Sequence, residues 1–187
     1  VPEHLTDAEA ATLPCAAVTA WSALAEQSSV VAGAVVVVQG TGGVSIFALQ
    51  FAHLLGARVI VTSSSDSKLE RARETGAWKN INYKEDAAWG KTVRRLTDGI
   101  GADHVVEVGG AETLEQSLRA VRVGGQVSVI GVLSGVASEI NIIPILMQNV
   151  RLQGILVGSR EGFERMNRAI AGHGLRPVVD RVFPFDD

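Results

Sequence analysis

Five short runs, nearly continuous in apolar character and rich in β-branched residues, divide this chain: AVVVVQ (34–39), ARVIVTS (57–63), DHVVEVG (103–109), GGQVSVIG (124–131) and VRLQGILVG (150–158). Strands with one wet face alternate apolar and polar residues, whereas a run that is apolar throughout suits a strand covered on both faces. The segments between the runs have helical character. Val44, Phe47, Ala48, Phe51 and Leu55 fall on one helical face, and Gly56 closes it as a C-terminal cap. In 65–77, Ser65 or Asp66 serves as N-cap and Gly76 as stop. A shorter strand is expected at 80–83, a helix over 86–96 and another over 111–121. Alternation of this kind implies right-handed crossovers and an α/β fold, a parallel sheet with helices on both sides.

The ends break the rhythm. Residues 1–13 are polar, with a short helix at TDAEAATL, and PCAAVTAWSALAEQ (14–27) reads as a helix packed beside the sheet. SREGFERMNRAIAGHG (159–174) is an amphipathic helix that buries Phe163, Met166 and Ile170, and the last residues form an extended segment.

Composition removes several function classes. With 17 basic and 20 acidic side chains the net charge is −3, so no nucleic-acid partner is expected. Cys15 is the one cysteine of 187 residues, which leaves no internal disulfide and fits a reducing compartment. No apolar run reaches the ~18 residues of a membrane span, and VPEHLTDAEA lacks the marks of a signal peptide. A cytoplasmic protein without a membrane partner is the expectation. His4, His53, His104 and His173 show no metal-ligand spacing; His53 is read as solvated and His104 as structural.

Between the first run and its helix stands GTGGVS (40–45), the dinucleotide fingerprint G-x-G-x-x-G/A with Ser45 in the last place. Gly40 permits the sharp turn out of the strand, and Gly42 lets a diphosphate approach the backbone without a Cβ in the way. Ser45 keeps the third position small enough for close helix–strand packing. Amides opening the helix would face the phosphates, where the helix dipole favours negative charge. The motif follows a strand and opens a helix inside a βαβ unit, the context that gives such a pattern meaning. A Rossmann-type doubly wound sheet is therefore expected.

The second strand ends in serines. NAD binders place an Asp or Glu about 20 residues beyond the glycine loop, where it accepts from the ribose hydroxyls and would repel a phosphate. Here Ser63 stands at that place, flanked by Thr62, Ser64 and Ser65, with Lys68 one helical turn on. Hydroxyls can donate to a phosphate and an ammonium can neutralise it, so NADP(H) is preferred while NAD(H) remains possible. Asp66 opposes this reading if it points inward.

Taken together, LPCAAVTAWSAL (13–24), the glycine loop with its strand and helix, KLERARETGA (68–77), NINYKED (80–86), GADHVVEVGG (101–110), GGQVSVIGVLSG (124–135) and RPVVDRVFPFDD (176–187) resemble the medium-chain dehydrogenase/reductase superfamily, in its zinc-type alcohol dehydrogenase and quinone oxidoreductase-like branch. The resemblance runs along essentially the whole chain. It implies that 1–24 is a linker and helix on the side of a GroES-like catalytic domain, 25–172 the dinucleotide-binding domain, and 173–187 the start of a segment returning to the catalytic domain.

By the same resemblance, Thr19 lies beside the nicotinamide, and Thr41, Gly42, Gly43 and Val44 hold the diphosphate with Gly40. Ser63, Ser64, Lys68 and Tyr83 surround the adenosine phosphate or ribose. Val108, Gly109 and Gly110, then Ile130, Gly131, Val132 and Leu133, line the adenine and nicotinamide grooves. Leu156, Val157 and Gly158 continue the nicotinamide side.

Cys15 matches a cysteine that ligates zinc in zinc-dependent members. One cysteine makes no site, so zinc is not expected in this chain, and a small buried apolar role is an equal alternative for Cys15. The implied activity is hydride transfer between a nicotinamide and a small alcohol, carbonyl, enone or quinone, with catalytic residues outside this stretch and poor turnover by it alone. A homodimer through the sheet edge is also implied. The alternative is a non-catalytic nicotinamide-nucleotide sensor or structural module, since fold does not fix function.

Overall fold

The computed structural model describes residues 1–184. Its strands are β1 (Val35–Gln39), β2 (Arg58–Ser63), β3 (Lys79–Asn82), β4 (Ala102–Glu107), β5 (Val121–Val129) and β6 (Arg151–Gly154). All pair in parallel, in the order β3-β2-β1-β4-β5-β6. The central strands are covered on both faces, as their apolar runs require: all five residues of β1 are buried.

Side chains alternate between the two faces. Val36, Val38, Val59, Val61 and Val106 face a core with helix α3 (Gly43–Leu54), helix α4 (Asp66–Glu74) and helix α8 (Arg160–His173). Leu13, Ala17, Val18, Trp21 and Leu24 belong to the same core. They lie on a helical stretch in which α2 (Val18–Trp21) is flanked by π-helical turns, Leu13–Ala17 and Ser22–Glu26. A short α1 (Asp7–Ala11) with a Thr6–Glu9 capping box precedes it. Val35, Val37, Ile60, Val105 and Val127 face the second core, closed by α5 (Trp89–Leu96) and α6 (Leu114–Ala120). The stripe on α8 holds, with Met166 and Ile170 fully buried and Phe163 packed at the core margin.

Three details depart from the sequence reading. The run 150–158 forms a strand only over Arg151–Gly154, mostly exposed, because β6 pairs on one side alone and has few neighbours over its faces. The chain leaves the strand at Ile155, and Val157 adopts a left-handed φ of 55°. An unanticipated exposed helix, α7 (Ile143–Met147), stands between β5 and β6. Cys15 is exposed, so the alternative of a buried apolar role fails: it lies on the outer side of the π-helical turn whose inner side carries Leu13 and Ala17. The expected segment 173–187 begins in the last turn of α8; residues 175–184 form no helix or strand, and 185–187 lie outside the described residues.

Candidate functional site: a cleft at the strand ends

Strand order reverses between β1 and β4, so the connections leaving them diverge and open a crevice beyond the carboxyl ends of the strands, where open parallel sheets bind ligands. The glycine loop forms its floor. Gly40 has φ +71°, a left-handed conformation that costs an L side chain energy and a glycine almost none. Ser45 is buried and donates to the Gln39 carbonyl at 2.6 Å, tying the first turn of α3 to the end of β1. Gly42 is the N-cap of α3, and no side chain caps that end. A Cβ at Gly42 would meet nothing within 4 Å, so the backbone presents an open cradle toward which the helix dipole places positive potential.

Gly40, Thr41, Gly42, Gly43 and Val44 line one side of a cleft of about 460 Å³. Ser63, Ser64, Lys68 and Tyr83 line it from β2 to β3, and Val108, Ile130, Gly131 and Leu133 from the loops after β4 and β5. Thirteen of the residues expected from the sequence thus meet around one hollow. Gly109 lines an adjoining hollow of about 450 Å³, which shares Gly40, Tyr83, Val108 and Leu133 with the first.

The remaining expected residues lie elsewhere. Thr19 is buried within the helical stretch, on α2, its hydroxyl donating to the Cys15 carbonyl at 2.7 Å. Leu156 and Gly158 line a separate hollow with Ser22 and Glu26, and Val157 packs at the margin of the first core. Gly110 is buried, and Val132 is exposed outside both cleft linings.

At the end of β2 the serines divide their work. Ser65 is the N-cap of α4, and its hydroxyl accepts from the Lys68 amide, leaving Ser63 and Ser64 at the cleft. Asp66 accepts from Asn82 Nδ2 at 2.8 Å and is absent from the cleft lining. Lys68 is exposed and has no carboxylate partner among the described residues. The rim therefore offers hydroxyls and a free ammonium where a carboxylate would have repelled a phosphate.

Behind the cleft is a buried polar cluster that no motif announces: Gln39, Glu107 and Ser117 are each buried, and Thr113 joins them. Its signal in the sequence is a polar residue closing each of two strands directly after a run of valines, Val35–Val38 and Val105–Val106, since a buried polar group requires partners. His104, on β4 near the opposite end of the sheet, is buried, with its Nδ1 3.1 Å from Ser28 Oγ and its Nε2 without a partner. Burial first, with help from the Arg151 charge and against that of Asp103, lowers its pKa from 6.5 to about 4. At neutral pH burial thus favours its uncharged form.

Comparison with known proteins gives one consistent neighbourhood. Residues 43–172 match the family model described as zinc-binding dehydrogenase. The chain is 47% identical over 191 aligned positions to a zinc-type alcohol dehydrogenase-like protein of Schizosaccharomyces pombe, covering 99% of this chain and 55% of that protein. A crystal structure of a putative alcohol dehydrogenase from Sinorhizobium meliloti superposes with TM-score 0.92 at 49% identity, over 96% of this chain and 52% of that one. A quinone oxidoreductase from Pseudomonas syringae pv. Tomato gives 0.82 at 28% identity, over 93% and 56%. The chain spans about half the length of the curated relatives it matches.

Proposed function

We propose, from the premise that this chain belongs to the zinc-binding dehydrogenase family, that it is the cofactor-holding part of a cytoplasmic NAD(P)-dependent oxidoreductase that prefers NADP(H). The observation that carries the reading is the rim at the end of β2: Ser63, Ser64 and Lys68 line the cleft while Asp66 is engaged by Asn82. A nicotinamide held there would supply hydride transfer at its C4, to or from an alcohol, carbonyl, enone or quinone.

The residues of this chain bind and orient. The amides opening α3 and the Gly40–Val44 backbone receive the diphosphate. Ser63, Ser64 and Lys68 meet the adenosine phosphate, with Tyr83 closing that end. Val108, Ile130, Gly131 and Leu133 supply apolar walls against which the rings of the dinucleotide would pack. By holding both ends of the dinucleotide, these residues would fix the orientation of its reactive ring, so that an encounter becomes a positioned reaction.

A catalytic zinc ion requires three protein ligands. Cys15 is exposed, and no cluster of three or more His, Cys, Asp or Glu side chains able to hold a metal occurs among the described residues. The described residues of this chain alone do not supply that ligand set. A second copy of the chain is the partner we assign to the free edge. There β6 leaves backbone groups unpaired, and α7 exposes Ile143, Leu146 and Met147 at 61%, 74% and 72%.

The test is titration of the purified chain with NADPH and NADH, followed by fluorescence. NADPH is expected to bind at least tenfold more tightly, a difference of about 1.4 kcal/mol, and Lys68→Ala to remove the difference. Equal affinities for the unsubstituted chain would refute the preference. Failure to bind either nucleotide would refute the site.

A further inference from the structure

Gln39 closes β1 and Glu107 closes β4, at 4% and 0% exposure. Glu107 Oε1 accepts from the Gly109 amide at 2.8 Å, the Gly110 amide at 3.0 Å and the Thr113 hydroxyl at 2.5 Å. Its Oε2 accepts from Gln39 Nε2 at 2.6 Å and from the Ser117 hydroxyl. Five donors converge on an acceptor-only group, the arrangement that a buried carboxylate needs. Gln39 is held just as firmly. Its Nε2 also donates to Ser117 Oγ at 2.7 Å, and its Oε1 accepts from the amides of Val108 and Gly109, both at 3.3 Å. Turning the Gln39 amide over would set its NH2 against two backbone N–H groups and its oxygen against the carboxylate.

The groups joined here are the walls of the cleft. Gln39 leads directly into Gly40; Val108, Gly109 and Gly110 form the loop after β4; and the Glu107 carbonyl accepts from the Ile130 and Gly131 amides at 2.9 and 3.3 Å, at the end of β5. Glu107 itself lines neither hollow. Gly109 must lack a side chain for the arrangement to exist, because a Cβ there would fall 2.3 Å from Thr113 Oγ1.

We propose that the buried Gln39–Glu107 pair is a positioning lock for the dinucleotide: it fixes the glycine loop against the loops after β4 and β5, so the cofactor meets walls already at their binding spacing. Binding then avoids the cost of ordering those loops. The proposal rests on the reading of the cleft as a nicotinamide-dinucleotide site.

Glu107→Gln keeps the shape but replaces one acceptor by an NH2 group. On one side that group faces the Gly109 and Gly110 amides, and on the other the Gln39 NH2; each is a donor that cannot turn away. The exchange Gln39→Glu with Glu107→Gln restores complementarity. A carboxylate at 39 accepts from Val108, Gly109 and the new amide at 107, whose oxygen takes the Gly109, Gly110 and Thr113 donors.

The unsubstituted chain, Glu107→Gln and the exchanged pair would be titrated with NADPH and NADH, with thermal unfolding recorded on each. Glu107→Gln is expected to unfold cooperatively and to bind both nucleotides at least tenfold more weakly by a common factor, with most of the loss recovered in the exchanged pair. Unchanged affinity in Glu107→Gln, or an exchanged pair as weak as the single variant, overturns the lock and leaves the site reading intact. Failure of the unsubstituted chain to bind either nucleotide overturns both. If Glu107→Gln does not fold, Thr113→Val, which removes one donor, takes its place: a common few-fold weakening supports the lock, and an unchanged constant refutes it.

Discussion

Lowering the pH from 7 to 5 should destabilise this protein through one side chain. His104 pairs across the sheet with Val36 and Gln126, is 1% exposed, and has an Nε2 with no acceptor to receive a proton's hydrogen bond. Its pKa falls from 6.5 to about 4 in the folded chain, chiefly through desolvation. Because the folded pKa is the lower one, the unfolded chain binds the proton more readily between these values. The stability that neutral His104 provides is complete above pH 6.5 and is lost progressively down to pH 4. Linkage gives a loss of about 2 kcal/mol at pH 5 relative to pH 7 or above, and about 3 kcal/mol once the pH is below both values. Urea unfolding of the chain and of His104→Gln at several pH values from 7.5 to 5 measures it. The variant is expected to lack that share of the slope, whatever its stability at pH 7. Glu9, Glu26 and Glu161 have pKa values lowered from 4.5, led respectively by the Thr6 amide, by Arg165, and by Glu161's own backbone amide. Their contributions are lost at more acidic pH and are common to both proteins. Parallel curves for the two proteins over pH 7 to 5 would refute the reasoning.

Three further outcomes follow from the same geometry. Gly40→Ala forces an L side chain to φ +71° with only Ser45 Oγ nearby, at 3.8 Å; backbone strain of about 1–2 kcal/mol should appear in urea unfolding, together with weaker nucleotide binding. Phe51→Ala removes a fully buried ring packed on Trp21 and Phe47, at centroid distances of 5.5 and 5.8 Å, and should cost about 3–5 kcal/mol in chemical denaturation. If the free edge holds a second copy, Leu146→Asp should convert a dimer into a monomer in sedimentation velocity without altering the fold; a chain monomeric before substitution would refute that assignment.

The central sheet and the glycine loop were legible because their determinants are local. Residues 35–38 and 59–61 are apolar at every step since both faces are covered, and the loop needs a left-handed Gly40 whatever surrounds it. Ser63, Ser64 and Lys68 stood out for a similar reason, as residues at a fixed distance from that loop. Periodicity failed at the edge of the sheet, where 150–158 has the composition of a covered strand but too few neighbours to make it one. It also gave no sign of which side Asp66 takes: the hydrogen bond from Asn82, sixteen positions away, decides that, and with it which charges line the β2 end of the cleft.

The sequence by itself determined the alternation of strands and helices from β1 to β5, the glycine loop, and the hydroxyl-rich end of β2, because these depend on backbone conformation and on spacing along the chain. Only the tertiary structure decided that Gln39 and Glu107, sixty-eight positions apart, share one hydrogen bond, and that His104 lies where burial disfavours its charged form. Both follow from β4 pairing beside β1. That pairing removes water from polar groups whose surroundings the linear order does not specify, so their partners are set by the fold alone.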